Sequence, residues 1–68
     1  MTPIAKQTLA ACPAEWTDLD VAEKGFPTEA LAPGSLVLMQ LIKSGLIEER
    51  LHGTPSRVQV RKAQKEAG

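Results

Sequence analysis

The sequence predicts an α+β fold, three helices followed by a two-stranded β-hairpin, and two stretches of its second half carry that expectation. Residues 34–44 place Leu38, Leu41 and Ile42 at helical spacing and end in Lys43-Ser44-Gly45. A cation in the last turn with glycine just past it is a helix stop. Beyond it, residues 46–51 and 57–61 alternate with the two-residue period of a strand. Val58 and Val60 face one way, and Arg57, Gln59 and Arg61 face the other. His52-Gly53-Thr54-Pro55-Ser56 supplies the turn between the two strands.

The first half is read from its punctuation. Thr2 caps a first helix and Pro3 opens it, because proline already holds the φ of a first turn. Ile4, Ala5, Thr8, Leu9 and Cys12 share one face, and Pro13 ends the helix. Ala14-Glu15-Trp16 is a short extended link. Thr17-Asp18-Leu19-Asp20 resembles a capping box, so a second helix is expected over residues 18–24, with Leu19, Val21 and Ala22 on its buried side. Gly25 stops it and Pro27 prevents its resumption. Thr28 to Leu31 offers one further helical turn, and Ala32-Pro33-Gly34-Ser35 reads as the start of the third helix. The expected core joins Leu9, Leu19, Val21, Leu38, Leu41, Ile42, Leu46 and Val60. Residues 1–62 form the domain; residues 63–68 lack an apolar anchor and read as a flexible C-terminal tail.

Composition excludes several classes. A chain of 68 residues is one domain at most and marginal on its own. Trp16 and Phe26 are its only aromatics, so the core is expected to be aliphatic. A single cysteine, Cys12, makes neither an internal disulfide nor a cysteine metal site, and it reads as a small buried apolar residue. The lack of disulfide staples in so small a chain favours a reducing, cytoplasmic compartment. The longest apolar run, Leu36 to Met39, is too short to span a membrane, and no secretory leader is seen. A start at Met1 and a short polar tail suit a complete small protein. No glycine-rich phosphate loop or metal motif is present, so neither cofactor nor metal is expected. His52 has no cysteine or acid at ligand spacing, and a Cys12–His52 nucleophile pair would require a coincidence of folding. The chain is therefore not expected to be an enzyme.

The formal net charge is zero but unevenly spread. Residues 1–33 set Lys6 and Lys24 against Glu15, Asp18, Asp20, Glu23 and Glu29, which leaves −3. Residues 34–68 set Lys43, Arg50, Arg57, Arg61, Lys62 and Lys65 against Glu48, Glu49 and Glu66, which leaves +3. Such asymmetry suits a basic contact surface towards the C-terminus, and equally the chance division of a solvated surface.

The phrase Leu38-Met39-Gln40-Leu41-Ile42-Lys43-Ser44-Gly45-Leu46-Ile47-Glu48-Glu49-Arg50 resembles the recognition helix and first wing strand of the winged helix-turn-helix superfamily. A leucine pair three apart, then Gly45-Leu46-Ile47, then charged residues carry the likeness, which covers residues 3–62. It implies a winged helix, with the hairpin as wing, the third helix placed for a DNA major groove, and Trp16 in a short third strand between the first two helices. Two departures stand out. Ten residues separate Lys24 from Ser35, more than a compact helix-turn-helix needs. The outward positions of the third helix include Leu36 and Met39, which offer little to base edges.

Two functions follow from different classes. The first is a small DNA-binding regulator, of the kind encoded by phages, plasmids or bacterial operons, acting on double-stranded DNA as a dimer. Ser35, Gln40 and Lys43 would contact DNA from the third helix, and His52, Thr54, Ser56 and Arg57 from the wing, with Arg61 and Lys62 reaching phosphates. The alternative is a winged-helix protein-interaction module, self-associating or binding a partner through Leu36 and Met39. Against the alternative stands the possibility that residues 26–33 cover those two side chains, for example with Phe26 or Leu31.

Overall fold

A computed structural model describes residues 1–63. The chain runs α1 (Pro3–Ala11), β1 (Thr17–Asp18), α2 (Leu19–Ala22), a 3-10 turn (Glu23–Gly25), α3 (Thr28–Leu31), α4 (Val37–Lys43), β2 (Ile47–His52) and β3 (Arg57–Lys62). The three strands form one antiparallel sheet in the order β1-β3-β2. Four short helices and a three-stranded sheet make this a small α+β domain. None of the helices among the described residues is long and apolar enough to cross a membrane.

The N-terminal helix forms as its punctuation predicts. Thr2 Oγ1 accepts the Ala5 N–H at 3.2 Å, and the chain turns extended at Cys12, before Pro13. The expected capping box at Thr17 is corrected. Thr17 lies in β1 opposite Val60, and its hydroxyl donates backwards to the Glu15 carbonyl. The strand beside Trp16 therefore begins one residue after it. Asp18 stands at the head of α2 without a side-chain cap bond, because its carboxylate is engaged by the sheet. The second helix is broken into α2 and the 3-10 turn, short of the single helix expected over 18–24.

The ten-residue interval before Ser35 is not a loop, because α3 fills part of it. The third helix starts at Val37 rather than 34. Pro33 and Gly34 are spent in a turn in which Ser35 N–H reaches the Ala32 carbonyl at 2.9 Å. It stops where expected: Gly45 takes φ +79°, and its N–H and that of Leu46 close on Ile42 and Leu41. Left-handed φ at that position costs glycine nothing. The hairpin pairs Ile47 with Lys62 through His52 with Arg57; β2 is shifted one residue on from the expected 46–51, and β3 runs one residue past the expected 57–61. The expected tail 63–68 falls, past Ala63, outside the described residues. Ala63 itself donates to the Leu46 carbonyl at 3.0 Å.

The core lies between the helices and one face of the sheet. Its fully buried members are Cys12, Ala22, Phe26, Leu41, Ile47 and Val60, with Leu9, Leu19, Leu38, Ile42 and Leu46 packed against them. Two expectations fail. Val21 is 53% exposed, because the break after Ala22 leaves only one turn of α2 to face the core. The core is also not wholly aliphatic, since Phe26 is buried in it. Buried Thr8 satisfies its hydroxyl by donating to the Ile4 carbonyl at 2.8 Å, one helical turn back.

Candidate interaction surface

Two surfaces hold the residues of interest. The first is the outward face of α4. Leu36, the N-cap of α4, is 53% exposed and Met39, within the helix, 51%. The segment of residues 26–33 does not cover them: Phe26 turns into the core and Leu31 is itself exposed. Beside Met39 lies a shallow depression lined by Leu38, Met39, Ile42, Lys43 and Glu49. Lys43 closes the last turn of α4 and Glu49 sits on β2, and neither is ion-paired among the described residues. Gln40 is exposed on the same helix, whereas Ser35 is half-buried and its Oγ accepts the Val37 N–H at 3.4 Å.

The second surface is the outer face of the sheet. Strand alternation places Glu48, Arg50 and His52 of β2 with Arg57, Gln59 and Arg61 of β3 on one side. Asp18 joins them opposite Gln59. These side chains bond to one another. Asp18 accepts from Arg57 at 3.2 Å through Oδ2 and from Gln59 at 2.9 Å through Oδ1. Gln59 Oε1 in turn accepts from Arg50 at 2.9 Å, and Glu48 accepts from Arg61 at 2.6 Å. The Arg50 and Arg61 guanidinium carbons lie 4.4 and 4.6 Å from the Trp16 ring centroid, within cation–π range. Sequence reasoning singled out Arg57 and Arg61 but missed this network. Its signal was the alternation itself, which puts every charged residue of the hairpin except Glu49 and Lys62 on one face.

For nucleic acid this matters, because Arg57 and Arg61 already have carboxylate partners. His52, Thr54 and Ser56 are exposed at the hairpin tip. Lys62 is half-buried at the end of β3, where its backbone N–H meets the Pro13 carbonyl at 2.7 Å. Cys12 is buried in the core, so it shares no surface with exposed His52. Burial pushes its thiol above the ordinary range, with Lys62 pulling weakly the other way, and a protonated thiol is a poor nucleophile. No group of three His, Cys, Asp or Glu side chains able to hold a metal occurs among the described residues.

The network makes one pH prediction. Hydrogen bonds from Gln59 and then Arg57 hold the Asp18 carboxyl below its ordinary range. A depressed folded-state pKa contributes stability above the unfolded-state value, and that contribution is lost as pH falls through the folded one. The effect is small at a solvent-exposed pair. Asp18→Asn should therefore flatten the acid limb of a stability–pH curve below about pH 4 and leave its shape unchanged near neutrality. Unfolding midpoints taken across that range test it, and parallel acid limbs in the two proteins would reject it.

Comparison with known protein families, curated proteins and solved structures finds no match for this chain.

Proposed function

We propose that this domain is a winged-helix protein-interaction module that self-associates through α4. The element order supports the winged-helix arrangement: a helix, a short strand, helices, then a hairpin whose second strand pairs with the first strand of the chain. In that reading α3 and α4 are the helix-turn-helix, and the 3-10 turn is an insertion before it. The observation that carries the function is the exposure of Leu36, at the N-cap, and Met39, within the helix that would otherwise read DNA. Against base edges they gain little beyond a thymine methyl. Buried in a protein interface, each contributes about 1.5–3 kcal/mol.

Charge favours a second copy as the occupant. An isologous two-fold interface brings residue i against j and j against i. Lys43 and Glu49 flank the same apolar depression with opposite signs, so a two-fold axis there sets each against its complement on the other copy. A domain this small also gains stability from association.

Leu36→Glu and Met39→Glu are each expected to weaken self-association at least tenfold while circular dichroism stays unchanged. Sedimentation on the same samples reads both. A wild type that remains monomeric at its highest soluble concentration, together with variants that unfold, would show these residues to be core and end the proposal.

The DNA-binding reading is second. It is favoured by the exposed Gln40, Lys43, His52, Thr54 and Ser56, which lie on the third-helix and wing-tip positions such a protein uses. Duplex DNA titrated at low salt separates the two readings. Amide shifts at α4 and the hairpin tip that vanish with added salt would favour DNA, and their absence would remove it.

A further inference from the structure

The core-side face of the hairpin extends beyond the helices and carries a second apolar surface. Leu51 and Val58 are directly opposed across β2 and β3, and Leu51, at 72% exposed, is the most open large apolar side chain of the domain's described part. Val58 continues into an open depression of about 420 Å³, shared with Leu19, Asp20, Glu23 and Arg57. Of the three charged groups there, Arg57 is matched by Asp18 on the outer face of the sheet. Asp20 and Glu23 are exposed and without an ion-pair partner among the described residues, so they set the sign of the rim. Lys24 follows Glu23 in the 3-10 turn but does not line the depression.

We propose that this groove between α2 and the wing is a docking site for a cationic amphipathic segment of another protein. Apolar side chains would lie on Leu19, Val58 and Leu51, and lysine or arginine would face Asp20 and Glu23. The charge selects among occupants. A nucleic acid or an anionic membrane would meet like charge at the rim, whereas a basic segment gains attraction from it. The site is independent of the α4 interface: it uses none of Leu36, Met39, Lys43 or Glu49.

The test is a titration of the full chain, followed by amide NMR, with a synthetic peptide alternating leucine and lysine. A leucine–glutamate peptide of the same length is the control. The lysine peptide is expected to shift Leu19, Asp20, Glu23, Leu51 and Val58, and to weaken as salt is raised. Asp20→Lys combined with Glu23→Lys should weaken binding at least tenfold. Leu51→Ser, at an exposed position where the fold is not at risk, should weaken it several-fold. Met39→Glu should leave it unchanged, even where it abolishes self-association. Equal binding of the glutamate peptide, shifts confined to α4, no binding at all, or full affinity in both groove variants would each overturn the site. Loss of peptide binding in Met39→Glu would instead reassign the contact to α4.

Discussion

Phe26→Ala is expected to cost the domain a large share of its stability. The side chain is 5% exposed and bridges the break after the 3-10 turn to the cluster of Cys12, Leu41, Ile47 and Val60. Removing a buried phenylalanine ring costs about 3–5 kcal/mol, part transfer free energy and part cavity. A domain of 68 residues has roughly 3–10 kcal/mol in total, so one substitution removes between about a third and all of it. Alanine itself has high helix propensity, and Phe26 lies outside any helix, so local structure offers no compensation. Urea unfolding followed by circular dichroism measures the loss. The comparison should be repeated at several protein concentrations, because association through α4 would raise the apparent stability of both proteins by mass action. A midpoint equal to wild type would show that Phe26 is not part of the core.

Phe26 also marks where the sequence stopped being legible. Period and stop signals placed the N-terminal helix, the last helix and the hairpin, because each of those segments is long enough to show its own repeat. Residues 17–33 contain no element longer than four residues, and a single turn has no periodicity to read. There the outcome is decided by tertiary contacts. Thr17 is drawn into the sheet by Val60, which removes it as a cap, and the shortened α2 then turns Val21 outward. The position Phe26 takes up in the core is a consequence of the same break.

The surface was legible in parts. The outward phase of Leu36 and Met39 follows from Leu38, Leu41 and Ile42 facing the core, and it holds although the helix begins three residues later than its proline and glycine suggest. The pairing of Arg57 and Arg61 was not legible. Their partners, Asp18 and Glu48, are 39 and 13 residues away, and only the strand register brings them together. Register likewise sets Leu51 against Val58 and so creates the apolar surface beside the hairpin, which no local pattern announces.

The sharpest test of that register is one substitution made separately at two positions of the same strand. Val60→Asp is expected to abolish folding, and Val58→Asp to be tolerated. Both valines point to the core side of β3, so alternation alone treats them alike. Depth separates them. Val60 is 0% exposed, centred between Thr17 and Glu49 on the middle strand. A carboxylate there is surrounded by the apolar side chains of the core and must either stay charged or bind a proton to become neutral, and each costs several kcal/mol. Val58 is 37% exposed, where the hairpin leaves the helices behind, and an aspartate at that position reaches water. Thermal melts and far-ultraviolet dichroism of the two variants at neutral pH decide the matter. If Val58→Asp unfolds as completely as Val60→Asp, the hairpin packs on the helices along its whole length, and no groove is left open beside Leu51 and Val58.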